Sequence, residues 1–560
     1  MPMANWGRTC ALKSWAGLLL GFLCGSPQAS DVSLQPPPPP KPSLGSQVSA
    51  VANGPSNLSA STGALSPATQ LTLEGTNFAQ DATNAGFYHI PPDPHGAAGP
   101  NHLVTVVNTT LEWYDKTGAS KTSIRLGKNA STVSGSFFST QNPANGLFDP
   151  KVIYDQQAGR FLVVALEKVG PSTNTSRILL AVSQTSDPNG TWYFTAINSK
   201  INIGGSDSWA DYPGFATDEE AVYVTANMFK LSDDTPTGSR LWVINKSPFY
   251  TGGAAGVNVY DPGTLSSISP GYPTAMQPAM VFGASGAGTG VGTYLVHTGY
   301  TSGSNELLGI IRVDNPLGGI AFSNQFINLG DVSSGAPPDA PQSGTATLVS
   351  TNDNRALNAV WRNNKLYSVN TVNPPSGVDL NQATAHYYVV DTTNPLSLTL
   401  LDQGNIGGEE IATGTHTFMP SIAVDKFGNF AIGFSASASS IFPGAYYTVK
   451  SPSGTIQPAG TVATGVNYYI RKFGGTENRW GDYSGTVVDP SDDLTFWVFN
   501  EYAMAQTTGN LGNTGETGDW GTRWAKFQVA KFKSDFSGDR KDDILFRHSS
   551  SGDVYLWIMN

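Results

Sequence analysis

Two short stretches of the chain carry the same potentially reactive side chains in the same order. Residues 209–214 read WADYPG, and residues 480–485 read WGDYSG. Each stretch sets an aspartate beside a tyrosine, and Arg479 and Glu501 lie close to the second one. Carboxyl groups can move protons, a tyrosine can act as a nucleophile, and a guanidinium binds anions. These residue types could bind a polar ligand or attack a glycosidic bond.

The candidate ligand-binding residues come from these stretches and their surroundings. They are Asp211, Tyr212, Arg479, Asp482, Tyr483 and Glu501. A structural role competes with binding at every one of these positions. Trp209 and Trp480 would pack between sheets with their N–H groups on carbonyls, while the aspartates accept backbone N–H groups and hold a turn. We assign no catalytic residue from the sequence.

Other groups could take part in the same chemistry. Arg160, Arg355 and Glu219, with the arginine, tyrosines and glutamate named above, supply the residue types of a site that binds a carboxylate and cleaves a glycoside. No fixed spacing ties these residues together. We therefore prefer to interpret them as surface arginines and acidic turn residues.

Three histidines lie close together in the stretch FYHIPPDPHGAAGPNH. His89, His95 and His102, with Asp93 between them, have the ligand types that zinc prefers. The stretch is rich in proline and glycine and has no H-E-x-x-H helix, so it does not preset a ligand geometry. We expect these histidines to form hydrogen bonds with the backbone.

The first 30 residues read as an export signal. Arg8 and Lys13 precede the apolar stretch 15–25, and small residues follow it. Cys10 and Cys24, the only cysteines, lie inside this signal, which excludes disulfides and thiol chemistry from the processed chain. We expect a secreted, periplasmic or cell-surface bacterial protein.

Composition separates a linker from the remainder of the chain. Residues 31–70 contain PPPPPKP and a Ser/Ala-rich run, which predicts a disordered spacer. The formal net charge of -11 and the lack of a basic stripe argue against nucleic acid as a partner. No later apolar run has membrane-spanning length, so no transmembrane segment is predicted.

Residues 71–532 have the pattern of an all-β domain. Short runs rich in Val, Ile, Tyr and Phe alternate with Gly, Pro, Asn and Asp, and no helical period is evident. Seven segments repeat a strand, turn and strand plan, and they start at residues 96, 150, 213, 280, 358, 420 and 484. Repeats of this size predict the inner hairpins of a β-propeller, with seven blades preferred and six or eight also compatible. The two WxDYxG stretches would then be connections that enter blades.

Five stretches resemble a largely uncharacterised family of exported bacterial propeller proteins. They are PPDPHGAAGPNHLV (91–104), FDPKVIYDQQAGRFLV (148–163), SQTSDPNGTWY (183–193), WADYPG (209–214) and RWGDYSGTVVDPSDDLTFWVFNEYA (479–503). The resemblance implies export and a sialidase-like propeller. It implies no particular activity.

Residues 533–560 resemble one FG-GAP or VCBS-type repeat, which carries a calcium loop. Residue by residue, the resemblance implies that Asp535, Ser537, Asp539, Lys541 and Asp543 hold calcium, with Lys541 acting through its carbonyl. Ser537 replaces the usual Asn or Asp, and Arg540 replaces the glycine that takes a positive φ. Calcium is therefore the one cofactor that the sequence suggests.

The sequence leads to two hypotheses about function. The first is an extracellular, non-catalytic binding or adhesion-type propeller that recognises a glycan or a cell-surface protein. The second is a glycoside hydrolase of the sialidase type, or a polysaccharide lyase, acting in the propeller funnel. Fold alone does not choose between them. A convergent set of carboxylates or a Tyr/Arg cluster with perturbed ionisation would favour the enzyme.

Overall fold

The computed structural model describes residues 66–529, apart from 130, 171–172, 266–272 and 284–291, together with 544–547 and 554–558. The signal, nearly all of the linker and the five residues of the calcium loop lie outside these ranges. Within them, no helix is both long and apolar enough to cross a membrane.

Strands make up almost all of the regular structure. In chain order they are β1 (Leu71–Asn77), β2 (His95–Ala98), β3 (His102–Val107), β4 (Thr110–Asp115), β5 (Thr122–Arg125), β6 (Phe148–Asp155), β7 (Arg160–Val169), β8 (Thr175–Ser183), β9 (Trp192–Asn198), β10 (Ile201–Ile203), β11 (Ser206–Thr217), β12 (Ala221–Lys230), β13 (Pro236–Asn245), β14 (Val257–Tyr260), β15 (Gln277–Pro278), β16 (Met280–Phe282), β17 (Gly292–Ser302), β18 (Asn305–Asp314), β19 (Ala321–Gly330), β20 (Ala356–Arg362), β21 (Lys365–Val372), β22 (Thr384–Asp391), β23 (Thr399–Ile406), β24 (His416–Val424), β25 (Phe430–Ala438), β26 (Ile441–Lys450), β27 (Gly460–Ala463), β28 (Gly485–Val488), β29 (Thr495–Ala503), β30 (Trp520–Gln528), β31 (Ile544–Arg547) and β32 (Val554–Trp557). The described helices are α1 (Phe78–Ala85), α2 (Lys246–Phe249), α3 (Pro262–Leu265) and a 3₁₀ turn at Ser139–Gln141.

Seven sheets of four or five strands form a closed ring. Blade 1 is β2–β5, blade 2 is β6–β9, blade 3 is β10–β14, blade 4 is β15 with β17–β19, blade 5 is β16 with β20–β23, blade 6 is β24–β27, and blade 7 is β28–β30 with β1. The inner strands β2, β6, β11, β15, β20, β24 and β28 each contact the next, and β28 contacts β2. The chain is therefore a seven-bladed propeller, which confirms the predicted fold class and the preferred blade number.

Apolar side chains fill the space between every pair of neighbouring blades. The core between blades 2 and 3, for example, contains Leu180, Trp209, Val224 and Trp242. Separate clusters occupy the other six interfaces. Because each sheet buries both faces, the middle strands read as continuous apolar runs rather than as alternating patterns. Each fully buried large side chain contributes about 1.5–3 kcal/mol, so these interfaces hold the ring together.

The two ends of the ring differ in their turns. We define the upper end as the one where the inner strands begin and the lower end as the one where they finish. At the lower end, Asp155 accepts hydrogen bonds from the N–H groups of Gln157 and Ala158, both at 3.1 Å. Asp425 accepts in the same way from Phe427 and Asn429, at 2.8 and 2.9 Å. An aspartate thus begins the turn of each of these two hairpins, in keeping with the repeated strand, turn and strand plan.

Blade 7 closes the ring by combining distant parts of the chain. Its outermost strand is β1, which pairs antiparallel with β30 so that Leu71 lies opposite Lys526. Directly after β1 comes α1, which the sequence analysis did not predict. Asn77 and Gln80 cap its N-terminus in both directions, and Gly86 ends it with φ 81°. The capping box Asn-x-x-Gln was the overlooked signal.

Two expectations about blade boundaries were wrong. The segment at 280–299 is not one hairpin, because β15 pairs with β17 while β16 crosses over and pairs in parallel with β20. This crossover adds an innermost strand to blade 5, inside the ring. WADYPG is not a connection but part of the long strand β11, which bulges between Asp211 and Gly214. WGDYSG does precede its inner strand, β28.

Candidate functional site

The upper end of the axis is built from an unusual backbone feature. Asp93, Asp149, Tyr212 and Met419 have φ values of 50, 48, 55 and 50°, and each is followed by a proline. Bulges interrupt the register of β6, β11 and β24 at three of these positions. Bulges re-aim side chains, so the residues that begin the inner strands meet near the axis. We call the polar residues that meet there the axial cluster. Its members are Asp93, Asp149, Lys151, Tyr212, Arg355, Arg479, Asp482, Tyr483 and Glu501.

Two carboxyl groups of the axial cluster connect different blades. Asp482 of blade 7 donates its N–H to Asp93 of blade 1 at 2.8 Å. Asp149 of blade 2 accepts from the Tyr212 N–H at 3.2 Å and from the Tyr483 hydroxyl at 3.1 Å. Asp93 and Asp149 therefore connect different blades through hydrogen bonds. The Asp482 carboxylate, expected to accept a turn N–H, instead accepts from the side chains of Asn352 and Arg479, at 2.9 and 2.5 Å.

Two arginines complete this network. Arg355 forms a bidentate pair with Asp353, at 2.7 and 2.6 Å, and its guanidinium lies 4.5 Å from the Tyr212 ring centroid. Arg479 donates to Asp482 at 2.5 Å. Bidentate pairs of this kind fix geometry as well as charge.

Lys151 brings a third cation to the cluster. Only 4% of Lys151 is exposed, and its Nζ lies 4.1 Å from the Tyr483 ring centroid and 3.5 Å from Gln277 Oε1. Among the described residues, no carboxylate forms an ion pair with this Nζ. Burial lowers the pKa of Lys151 to about 7, although Asp149 and other nearby carboxylates oppose the shift. The ammonium is held mainly by aromatic and amide groups.

The protonation state of each carboxyl group in the cluster depends on its burial and on the charges around it. Burial, aided by the charge of Asp482, raises the pKa of Asp93 to about 7. Burial also raises the pKa of Asp149 and of Glu501 well above the usual range, and nearby carboxylates add to both shifts. Burial acts in the same direction on Asp482, but Arg479 and Arg355 outweigh it, so the pKa of Asp482 is lowered. At neutral pH, the cluster therefore contains both protonated and ionised acids.

Three polar atoms of this region lack a hydrogen-bond partner within the described part of the chain. They are the Tyr212 hydroxyl, Gln277 Nε2 and Glu501 Oε2. The residues are 4%, 3% and 1% exposed. Buried groups of this kind are normally paired with protein or with water. The region therefore has unused hydrogen-bonding capacity.

The structure brings together most of the residues that the sequence singled out. Tyr212, Arg479, Asp482, Tyr483 and Glu501 belong to the axial cluster. The Tyr212 and Tyr483 rings lie 5.3 Å apart, so the two WxDYxG stretches do meet. Asp211 is half-buried in β11, and its charge helps to raise the pKa of Asp149. Arg355, considered among the further cations, also belongs to the cluster.

Other candidates lie elsewhere. Arg160 donates to the Tyr250 carbonyl at 2.6 Å, and Glu219 sits in the lower turn between β11 and β12. The three histidines have separate partners: His89 Nδ1 lies 3.2 Å from the Pro91 carbonyl, His95 Nδ1 lies 2.9 Å from the Val152 carbonyl, and His102 Nε2 lies 3.8 Å from Asp187. Over the described ranges, no group of three or more His, Cys, Asp or Glu is arranged to hold a metal ion.

Both tryptophans of the repeated stretches are buried, each 1% exposed. Their N–H groups donate to side chains rather than to the expected carbonyls: Trp209 to Asp234 at 2.8 Å and Trp480 to Ser435 at 3.0 Å. Lys168 also lies 3.8 Å from the Trp209 ring centroid. The packing role expected for these tryptophans is therefore present, with different partners.

The lower part of the axis has a different character. A cavity of about 70 Å³ is lined by apolar side chains such as Phe215 and Met280 and by the polar side chains of His95, Asn358 and Thr486. This volume accommodates about two water molecules. Burial lowers the pKa of His95 to about 3, and Lys151 adds to the shift. The imidazole is therefore neutral.

Asp149 and Lys151 were missed by the sequence analysis. A signal for them was present, because Asp-Pro occurs at 93–94 and 149–150, in register with Tyr-Pro at 212–213 and Met-Pro at 419–420. Aligning the repeats on these prolines would have placed all four preceding side chains at equivalent positions.

Comparisons with known proteins give remote likenesses. No family model matches the chain, and no curated protein sequence matches it. A Trypanosoma rangeli sialidase in complex with the inhibitor DANA is 12% identical over 68% of this chain and 55% of its own, with a TM-score of 0.34. The chain thus spans about half the length of that sialidase.

Two further solved structures show the same level of likeness. An exo-1,5-alpha-L-arabinanase from a bovine ruminal metagenomic library is 11% identical over 55% of this chain and 96% of its own, with a TM-score of 0.29. A protein of unknown function from Dyadobacter fermentans is 12% identical over 67% and 93%, with a TM-score of 0.35. At these values the likeness carries no argument about activity, and the family suggested by the sequence motifs stays a prediction.

Proposed function

We propose that the chain is an exported, non-catalytic propeller that binds a glycan on its upper face. One observation carries the non-catalytic part: the acids of the axial cluster are buried, and Asp93 and Asp149 are engaged with other blades. Asp93 is 2% exposed, Glu501 is 1% exposed and Tyr483 is 4% exposed. Asp93 and Asp149 each hold an N–H group of another blade.

Glycoside hydrolysis makes demands that this arrangement does not meet. Two carboxyl groups must flank the scissile bond and leave room for a sugar ring between them. Here the carboxyl oxygens face backbone N–H groups, a tyrosine hydroxyl and arginines instead. Turning them toward a substrate would remove contacts that connect blade 1 to blade 7 and blade 2 to blade 3. The cluster is better suited to holding the ring rigid beneath a binding face.

A glycan fits the composition of the chain better than a strongly charged macromolecule does. Only 13% of residues are charged, so the chain offers few groups for ion pairs, and its net charge of -11 disfavours a nucleic acid. Neutral hydroxyl and amide groups with interspersed aromatic rings suit the hydroxyls and C–H faces of sugars. A cell-surface protein is the second ligand class.

A hydrolase is the alternative, and a specific observation favours it. By the criterion set from the sequence, converging carboxyl and tyrosine groups with shifted ionisation point toward catalysis. The raised pKa of Asp93 and Glu501, the lowered pKa of Lys151 and the unpaired Tyr212 hydroxyl fit that criterion. Opening of the upper loops would be required for a substrate to reach them.

One experiment separates these two functions. The protein spanning residues 31–560 would be incubated with immobilised neutral, acidic and sialylated glycans, and retention and released sugars would be measured in the same tubes. We expect retention without release. Release that disappears in Glu501→Gln and Tyr483→Phe, but persists in Glu219→Gln, would replace binding by catalysis. Absence of both retention and release would reject both.

Calcium at the C-terminal loop is part of the same proposal. The five loop residues lie outside the described ranges, so the proposal rests on the sequence resemblance alone. Equilibrium dialysis against ⁴⁵Ca²⁺, with Asp539→Asn as the matched variant, tests it. We expect the wild type to bind one ion and the variant to bind more weakly. Absence of binding in the wild type would reject calcium binding by this loop.

A further inference from the structure

We propose that the glycan site is an uncharged platform on the upper face of blades 6 and 7, centred on Phe442 and Tyr468, and that its ligand is a neutral polysaccharide. This inference rests on the proposed function and specifies both the place and the ligand class. The neutral platform is defined as residues 342–348, 439–442, 464–468 and 504–508. The first segment lies in the upper connection between β19 and β20, and the other three begin directly after β25, β27 and β29 at the upper end.

Hydrogen bonds join the four segments into one surface. Ser343 donates its N–H to the Ile441 carbonyl at 3.0 Å. Tyr469, directly after the third segment, donates its N–H to Gln342 Oε1 at 2.8 Å. The Gln506 side-chain amide donates to the Tyr468 carbonyl at 3.1 Å. Contacts of this kind fix the relative positions of the segments before any ligand arrives. A preformed surface loses less entropy when it binds.

Two aromatic rings flank a glycine at the middle of the platform. Gly344 is exposed with φ 78°, and a Cβ built on it would lie 3.3 Å from Tyr468 Cδ1 and 3.6 Å from Phe442 Cε1. Both rings are half-buried, so part of each faces solvent. Val466 and Leu348, at 55% and 45% exposure, extend the apolar area. Glycine leaves the ring faces uncovered where a larger side chain would crowd them.

The residues of the platform carry no charge of either sign. Residues 340–352, 431–449, 455–470 and 502–515 contain no Asp, Glu, Lys or Arg, in a chain that carries 42 acidic and 31 basic residues. The charged side chains that contact residues 507 and 508 from below, Asp519 and Arg471, are buried and paired with each other at 3.4 Å. Half-buried amides and hydroxyls, such as those of Ser343, Asn467 and Gln506, remain as the polar groups of the platform. These groups can both donate to and accept from sugar hydroxyls.

Lack of cations decides against acidic glycans. A uronate or sialate needs a partner for its carboxylate, and the four stretches supply none. The overall charge of -11 would also repel a polyanion at low ionic strength. A neutral polysaccharide requires no counter-charge, and its C–H faces can lie on aromatic rings. The uncharged surface matches that ligand in both respects.

Affinity electrophoresis of the protein spanning residues 31–560 tests the inference. Gels would contain a neutral polysaccharide (xylan, glucomannan or mixed-linkage β-glucan) or an acidic one (polygalacturonate or alginate). The variants are Phe442→Ala and Tyr468→Ala. Phe427→Ala is the matched control, because Phe427 is an exposed phenylalanine of the same blade at the opposite, lower end. Melting temperatures of all four proteins establish that each variant is folded.

We expect at least one neutral polysaccharide to retard the wild type. Each platform variant should bind it at least about tenfold more weakly, while Phe427→Ala binds like the wild type. Neutral binding that survives in both folded platform variants would overturn the inference and leave glycan binding standing. Retardation of the wild type only in gels that contain an acidic polysaccharide would also overturn the inference and leave glycan binding standing. If no glycan of either kind is bound in gels or on the immobilised panel, the proposed function itself fails.

Discussion

The upper and lower ends of the axis use the same residue type in opposite ways. At the lower end, Asp155 and Asp425 accept N–H groups two to four residues away within their own turns. At the upper end, Asp93 and Asp149 accept N–H groups 389 and 63 residues away, from other blades. Each lower aspartate stabilises its own hairpin, and Asp155 in addition contacts Tyr250 and Lys246 of blade 3, at 2.8 and 2.6 Å. The backbone N–H groups that the upper aspartates accept belong to other blades.

Burial is common to both ends, because Asp155 and Asp425 are each 1% exposed. The ends differ in what surrounds the carboxyl groups. Burial raises the pKa of Asp425, while its turn hydrogen bonds and Arg362 oppose the shift. Burial also raises the pKa of Asp93, to about 7, and of Asp149, and there the charges of neighbouring carboxylates add to the shift. The upper end should therefore respond more strongly to substitution and to pH. Four predictions test this difference.

The largest effect is expected at Arg355. Arg355→Met removes one partner of a buried pair and leaves the Asp353 carboxylate, whose side chain is 7% exposed, without its guanidinium. Loss of one partner of a buried pair costs about 3–5 kcal/mol of unfolding free energy. At the lower end, Arg362→Met leaves Asp493 with a 29% exposed side chain and should cost about 1 kcal/mol. Urea unfolding measures both, and equal costs would remove the distinction between the ends.

A smaller effect is expected in the pH dependence of stability. An unfolded aspartate titrates near 3.8, whereas the pKa of Asp93 in the folded protein is about 7. Between these values the folded state holds a proton that the unfolded chain has released, so this group lowers stability as pH rises, by at most about 1.4 kcal/mol per pH unit.

Asp93→Asn should remove this contribution, because the amide cannot ionise. Urea unfolding at pH 5, 6, 7 and 8 compares the slopes of the two proteins. The variant should lose less stability than the wild type between pH 5 and 7. The lower-end variant Asp492→Asn serves as the matched control, because burial, which would raise the pKa of Asp492, is outweighed by hydrogen bonds from Thr495 and Leu494, and the pKa is lowered. A slope that is unchanged in Asp93→Asn would show that Asp93 ionises normally in the fold.

A local loss is expected at the lower end. Asp425→Ala removes the acceptor for the N–H groups of Phe427 and Asn429 and should cost about 1 kcal/mol, as loss of a turn-capping side chain does. Asp425→Asn keeps an acceptor oxygen and should cost less. Chemical denaturation again provides the measurement. A cost for Asp425→Ala comparable to that of Arg355→Met would mean that this turn also organises the ring.

The smallest effect is expected at the tip of the same turn. Phe427 is 55% exposed, so Phe427→Ala should change the unfolding free energy by less than about 0.5 kcal/mol. Thermal unfolding followed by circular dichroism is sufficient to test this. Destabilisation well above this value would reveal a contact of the ring that matters in solution.

Local chemistry explains what the sequence could predict. An aspartate at the start of a hairpin and a glycine at its end act within five residues, so turns such as 425–429 were readable directly. Regular spacing of those turns then predicted the repeat and the propeller. The same reasoning identified both WxDYxG stretches, whose tyrosines meet in the axial cluster.

Long-range features could not be read in this way. Nothing within β16 indicates that it leaves blade 4 and pairs with blade 5, because its three residues suit either sheet. Asp93 and Asp149 occur in similar Asp-Pro contexts, yet Asp93 accepts from blade 7 and Asp149 accepts from blades 3 and 7. These partners come together only once the ring has closed. The axial cluster is a product of closure, and single segments contain only its parts.

The closure strand gives the propeller a direction of mechanical weakness. Leu71 starts β1 opposite Lys526, near the end of β30, and the Gln70 N–H donates to the Lys526 carbonyl at 2.7 Å. A force that pulls residues before β1 away from residues after β30 would load these hydrogen bonds one after another, as in opening a zipper. Shear across all of them at once would resist far more. Tension applied across this seam should peel β1 from blade 7 at low force while the other six blades stay folded.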